Sequence, residues 1–190
     1  LYEDPGETWR YGWSTDLLAR IVEVVSGATF NVFLENEIFK PLGMLNTNFL
    51  SMETNQKSIA EVYSKENGNL VHIVEPRSNP LDWTPGSSGL VSSAPDYMRF
   101  ALMLWNQGTY NGIKILSPES IRLMTQTHVN EGVLVGQVEG VGFGLGVGVV
   151  IDSEKSVSVD RDGDFWWSGF YGTHFCLLYT SDAADECLCV

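Results

Sequence analysis

Apolar positions recur at helical spacing near the start of the chain. Leu17, Leu18, Ile21, Val22 and Val25 predict one helix with a single buried stripe. Ser14 is placed to cap it, Thr15 and Asp16 suit its first turn, and Gly27 suits the left-handed residue that ends it. A second helix is expected over 30–38, with Phe30, Phe33, Leu34 and Ile38 inward and Pro41 stopping it. Tyr97, Phe100, Ala101 and Leu104 mark a third, with Pro95 at its first position, or its second if Ser93 is the cap. Ser117-Pro118-Glu119 opens a fourth as cap, first residue and an acid near the positive end.

From 140 to 148 the period changes to two. Gly140, Gly142, Gly144, Gly146 and Gly148 fall on one face, and Val141, Phe143, Leu145, Val147 and Val149 on the other. That alternation predicts a strand whose bare face is closely approached, either by a helix or by a substrate. Further strands are expected around 61–63, 70–74, 156–159 and 172–179. Tyr110-Asn111-Gly112 reads as a hairpin turn and Gly86-Ser87-Ser88-Gly89 as a tight turn. Helices and loops precede strands, so the fold class is α+β with a mainly antiparallel sheet.

With 190 residues, 44% hydrophobic and 18% charged, the chain has the composition of one globular domain. A net charge of −13 argues against a nucleic-acid partner and against docking on an anionic membrane. No apolar run approaches the ~20 residues of a membrane span. The chain opens at Leu1 rather than Met, so a piece of a longer reading frame is expected, and neither compartment nor oligomeric state is legible. The three cysteines, Cys176, Cys187 and Cys189, all fall in the last fifteen residues, so no disulfide framework spans the body.

Asp160, Asp162 and Asp164 alternate as in a calcium loop. However, Phe165 stands where the loop needs glycine and Tyr171 where it needs glutamate, so a solvated acidic loop is expected. His72, His128 and His174 have no ligand spacing, and no metal or other cofactor is implied. No Gly-x-Ser-x-Gly elbow exists, and Gly86–Gly89 is one residue short of it. There remain Tyr11, just before the first helix, and Trp167-Ser168-Gly169, each unremarkable alone.

Taken in order, several stretches resemble the serine β-lactamase/penicillin-binding-protein superfamily, and within it class C β-lactamases and family VIII esterases. They are 4–11 (Asp-Pro-Gly-Glu-Thr-Trp-Arg-Tyr), 14–23, 38–44 (Ile-Phe-Lys-Pro-Leu-Gly-Met), 88–97, 142–146 (Gly-Phe-Gly-Leu-Gly) and 167–173 (Trp-Ser-Gly-Phe-Tyr-Gly-Thr). The resemblance implies acyl transfer, in which a serine of a Ser-x-x-Lys motif attacks a carbonyl while the lysine and a tyrosine move its proton. Tyr11 is the implied base, in Tyr11-Gly12-Trp13. A phenol, with a reference pKa of ~10, is a poor base at neutral pH unless an ammonium favours its phenolate. Trp167, Ser168 and Gly169 take the place of a Lys-Thr-Gly strand motif, and the Phe170 N–H is the implied oxyanion donor.

Three departures shape the expectation. Trp13 replaces an asparagine. Trp167 replaces the lysine that steadies a β-lactam carboxylate, so small-molecule esters with an apolar part are expected in preference to β-lactam-like substrates. Ser-x-x-Lys itself is missing: Glu37, Thr54, Val62, Asn111 and Asp152 stand three residues before the five lysines. The chain is therefore expected to be a partial domain over 1–175, inactive alone, its nucleophile lying upstream of Leu1. Residues 176–190 resemble translated adapter sequence, and a foreign tail is expected there. The alternatives are a β-lactamase or D-Ala-D-Ala carboxypeptidase, and a non-catalytic ligand-binding homologue.

Overall fold

The computed structural model describes residues 3–50, 59–73, 83–156 and 161–178. They divide into two compact units, one of residues 1–12 with 100–190, the other of 13–99. The architecture is α+β with antiparallel pairing, as expected.

In the unit of residues 13–99, α1 (Ser14–Ser26) ends at Gly27, whose φ of +72° and N–H bond to the Glu23 carbonyl make the expected left-handed cap. Its opening differs from expectation, because Ser14 is already helical and Trp13 occupies the cap position without a side-chain bond. Its orientation differs more. The buried residues are Asp16 and Ala19, while Leu17, Leu18, Ile21, Val24 and Val25 are 47–82% exposed. The inward side is held by polar bonds. Asp16 Oδ1 accepts from the Gly86 N–H (3.0 Å), the Ser87 N–H (3.2 Å) and the Ser87 hydroxyl (2.9 Å). Gly86 lies so close that a Cβ there would meet the Thr15 carbonyl oxygen at 2.1 Å. Glu23, also on this side, accepts from the Phe30 N–H (3.0 Å).

The second helix is longer than expected. It runs as α2 (Phe30–Leu34), widens into a π-helix over Glu35–Phe39, and closes as α3 (Lys40–Leu42) before Gly43 at φ +69°. Pro41 lies inside α3 rather than stopping the helix, and the π turn immediately before it is a way to absorb a residue with no N–H. Phe39 and Leu42 are buried, whereas Phe30, Phe33, Leu34 and Ile38 are only partly so. Strand β1 (Asn48–Phe49) pairs with β4 (Leu90–Val91). Between them in sequence, β2 (Val62–Glu66) and β3 (Asn69–Ile73) form a hairpin through Asn67-Gly68, both at positive φ. Asp96, in the first turn of α4 (Ala94–Trp105), is buried and accepts from the Asn46 N–H (2.6 Å) and the Thr47 hydroxyl (3.0 Å). Pro95 is the second residue of α4, after Ser93 whose hydroxyl accepts from the Asp96 N–H (3.4 Å).

In the other unit, β5 (Thr109–Tyr110) and β6 (Ile113–Lys114) close through Asn111-Gly112 at φ +47° and +80°, the two-residue turn the sequence announces. α5 (Pro118–Met124) begins with the expected cap, the Ser117 side chain accepting from the Ser120 N–H. The glycine-rich segment is not one strand. It is a hairpin of β7 (Val141–Phe143) and β8 (Gly148–Val150), the first half of a sheet ordered β7-β8-β9-β10 with β9 (Phe165–Ser168) and β10 (His174–Leu177). Close approach to the glycines comes from the end of α5 and the residues after it. A Cβ on Gly144 would meet the Met124 carbonyl oxygen at 1.9 Å, and one on Gly142 the Thr127 hydroxyl oxygen at 2.3 Å.

Val149, Val150, Phe165, Cys176 and Leu177 are buried on this sheet. Cys176 and Leu177, the first residues of the segment expected to be foreign, are thus core residues of β10. Asp164 also differs from expectation. It is fully buried rather than solvated and accepts from the Arg161 N–H (2.7 Å). Asp160, most of the expected strand 156–159 and the tail beyond 178 lie outside the described residues.

Candidate active site

Tyr11, Trp167, Ser168, Gly169 and Phe170 all belong to the unit built on the four-stranded sheet. Trp167 and Ser168 end β9. Gly169 to Thr173 form the turn to β10, which brings His174 opposite Ser168. The turn is closed by the Gly169 N–H donating to the Thr173 carbonyl (2.7 Å) and the Gly172 N–H to the Gly169 carbonyl (3.0 Å). Gly169 is closely approached by the Thr173 side chain, whose hydroxyl oxygen lies 2.2 Å from where a Cβ would stand and would have to turn away. Gly172 is favoured by its φ of +82°, in the left-handed region.

The Tyr11 ring lies stacked on Trp167, with centroids 6.1 Å apart and planes 13° from parallel. Trp167 is also met edge-on by Phe143 at 4.9 Å and by Trp9 at 6.2 Å, and Trp9 tilts against Phe143 at 5.2 Å. Four aromatic residues from three stretches of sequence therefore form one apolar wall. Offset and edge-on contacts of this kind hold ring orientation as well as burying area. Tyr11 remains 70% exposed, with its hydroxyl bonded to no group among the described residues.

At the turn, Phe170 is 96% exposed, and among the described residues nothing accepts from its N–H. Such a donor has no protein acceptor to give up, only its water, when an anionic oxygen arrives. Ser168 Oγ lies 2.9 Å from His174 Nδ1. The sequence reading missed that pair and the Trp9–Phe143 side of the wall. His174 stands six residues after Ser168 across a turn containing two glycines, a spacing that signals cross-strand pairing. Trp9 stands two residues before Tyr11, so in an extended segment it shares a side with it. Among the described residues no group of histidine, cysteine and carboxylate side chains is arranged to hold a metal ion.

The Beta-lactamase family profile matches residues 1–184, which extends past the start of the segment expected to be foreign. Protein Rv1367c of Mycobacterium tuberculosis is 33% identical over 185 residues, covering 91% of this chain and 46% of that protein. Penicillin-binding protein 4 of Amycolatopsis lactamdurans is 32% identical over 116 residues (58% of this chain, 29% of that one). Lovastatin esterase of Penicillium rubens is 26% identical over 132 residues (66% and 32%). Among solved structures, EstCE1, described as a hydrolase with promiscuous acyltransferase activity, superposes with a TM-score of 0.78 at 24% identity, covering 92% of this chain and 49% of its own. The chain thus spans about half the length of the relatives it matches. Fold, motif order and sequence agree, and the chain belongs to the Beta-lactamase family, within the serine β-lactamase/penicillin-binding-protein superfamily of hydrolases.

Proposed function

We propose that this chain carries the base and one side of the oxyanion hole of a serine hydrolase that cleaves carboxylic esters through an acyl-enzyme. Tyr11 is the base. The Phe170 N–H is one oxyanion donor, and the stacked Trp167 forms an apolar wall for the acyl or alcohol part of the ester. The single observation supporting this most is the stacking of Tyr11 on Trp167, the last residue but one before the turn that presents the Phe170 N–H.

The chemistry divides accordingly. A serine hydroxyl attacking an ester carbonyl must lose a proton, and a phenolate oriented by ring stacking is a suitable acceptor when an ammonium stabilises it. The carbonyl oxygen gains charge in that step, and an N–H with no protein acceptor among the described residues stabilises it by exchanging a water for the oxyanion. The serine and the ammonium belong to the Ser-x-x-Lys motif, absent from this sequence, and are assigned to the rest of the family domain.

The chain alone should then form no acyl-enzyme. Incubation with a fluorophosphonate or a penicillin, followed by mass spectrometry, should show no stoichiometric adduct on any serine. A clean adduct, on Ser168 or Ser87 for instance, would place the nucleophile inside this chain and defeat the reading.

Similarity to Penicillin-binding protein 4 favours a second reading, a β-lactamase or D-Ala-D-Ala carboxypeptidase. Trp167 weighs against it, since an indole offers a carboxylate no cation. Turnover of a short-chain ester against a chromogenic β-lactam by the complete protein separates the two, and turnover of neither leaves a non-catalytic ligand-binding homologue.

A further inference from the structure

The turn between β9 and β10 carries a side chain that the fold does not use. Phe170 is exposed, and among the described residues its one ring partner is Tyr171, met edge-on at 5.3 Å. A lone exposed phenylalanine is ordinary on a protein surface. This one differs in where it hangs. Two hydrogen bonds close its turn, from the Gly169 N–H to the Thr173 carbonyl and from the Gly172 N–H to the Gly169 carbonyl, so the backbone at 170 is held. The same residue presents the N–H assigned above to the oxyanion. An oxygen accepting from that N–H at the usual distance of about 2.9 Å brings the reacting carbonyl close to the Phe170 ring, which branches from the adjoining Cα. Three residues earlier stands Trp167, with Tyr11 stacked on it and Phe143 and Trp9 edge-on to it. Phe170 makes no ring contact with that wall among the described residues. Two aromatic surfaces thus adjoin one donor, the wall on Trp167 and a lip made of Phe170 on Tyr171.

We infer that Phe170 is a specificity-determining side chain: with Tyr171 it holds one end of the ester while the wall on Trp167 holds the other, and the substrate class is an uncharged ester with a flat apolar group on each side of its carbonyl. The inference rests on the reading above in taking the Phe170 N–H as the oxyanion donor. An ester has two arms, acyl and alcohol, that diverge from the carbonyl carbon, so one apolar surface serves only one of them. Flat groups suit both surfaces, because stacked and edge-on ring contacts fix orientation as well as burying area. Charge narrows the class further. An indole at 167 offers an anion no cation, and Arg10, the cation next to Tyr11 in sequence, is engaged by Glu3. The net charge of −13 adds a field that repels anionic substrates.

Binding to the chain alone is the test, because without Ser-x-x-Lys the chain should hold an ester uncleaved. Phenyl benzoate, ethyl benzoate and phenyl acetate differ by one ring at a time. Saturation-transfer NMR on each ester, with the chain as titrant, gives the three dissociation constants. Phenyl benzoate should bind about two- to tenfold more tightly than either one-ring ester, the range that one aromatic contact supplies. Phe170→Ala keeps the backbone N–H and removes an exposed ring. It should leave thermal unfolding unmoved and cancel the advantage of the ring at one end of the ester only, and Phe170→Leu should cancel it in part. A carboxylate placed para on either ring of phenyl benzoate should weaken binding several-fold at low salt. Ring preferences unchanged at both ends in Phe170→Ala overturn the lip, as do preferences lost at both ends alike or a parent chain that binds none of the three esters. Equal binding of the carboxylated ester overturns the choice of an uncharged substrate. Cleavage is scored separately: hydrolysis of phenyl benzoate by the chain alone contradicts the upstream nucleophile and leaves the lip standing, whereas a one-ended loss in Phe170→Ala without hydrolysis supports both.

Discussion

Helix α1 and the β9–β10 hairpin use apolar residues in opposite ways. In the hairpin, Phe165 and Leu177 pair across the strands and are buried, and the polar or exposed residues sit at the turn where substrate chemistry is proposed. In α1 the aliphatic stripe faces solvent, and the interior contact is a carboxylate holding two backbone N–H groups and a hydroxyl. Periodicity identifies which residues share a face. It does not say which face is inward, because that depends on what the face has to pack against.

Mutations that treat the two regions alike should give unlike results. The largest stability effect is expected in the hairpin. Leu177→Ala removes a fully buried side chain and should cost about 2–5 kcal/mol in denaturant unfolding. A loss near zero would mean that β10 is not part of the core.

A pH effect of comparable size is expected at Tyr97, whose hydroxyl is pushed up to about 12 by burial, from an ordinary 10.0. The neutral phenol is the form the fold prefers, so this contribution is complete below pH 10 and is lost as pH rises toward 12. The loss should be roughly 3 kcal/mol, read as the difference between the parent and Tyr97→Phe across that range, since the phenylalanine variant has no proton to release. Parallel stability curves for the two proteins would contradict the burial of that hydroxyl.

Next comes the polar side of α1. Asp16→Ala leaves the Gly86 and Ser87 N–H groups without their acceptor and should cost about 1–3 kcal/mol. Asp16→Asn, which retains an acceptor oxygen, should cost less, and equal losses would show that charge rather than hydrogen bonding holds the Gly86–Gly89 turn. The smallest effect is expected where the sequence pattern is most hydrophobic. Leu17→Ser or Val25→Ser in the chain alone should change stability by no more than about 0.5 kcal/mol, because both side chains are already in water. A loss of core size at either position would refute the exposed placement of the stripe.

Local chemistry was legible wherever one or two residues determine the backbone. Asn111-Gly112, Ser117-Pro118 and Gly27 each do what their side chains, or the lack of one, require. The 140–148 pattern predicts one strand where a hairpin forms, because Gly144 to Val147 make a four-residue turn that leaves the alternation unbroken, so parity alone cannot reveal the reversal. The helix continues through Pro41, where the sequence predicts a stop, because a π turn accommodates what a regular α-helix does not. At the candidate site, Tyr11 and Trp167 were legible only through family resemblance, 156 positions apart. Their stacking is a long-range contact that the sequence does not display, whereas the pairing of Ser168 with His174 follows the register set by the two-glycine turn between them.

The role of Tyr11 is the claim on which the functional account turns, and Tyr11→Phe in this chain joined to a family portion that carries Ser-x-x-Lys addresses it directly. The substitution removes one hydroxyl and keeps the ring that stacks on Trp167, so folding should survive. Turnover of a short-chain ester should fall by about 10²–10⁴-fold, the usual worth of a positioned base, with the Michaelis constant little changed. Ester hydrolysis within a few-fold of the parent would contradict the assignment of Tyr11 as the base, and with it the proposed mechanism.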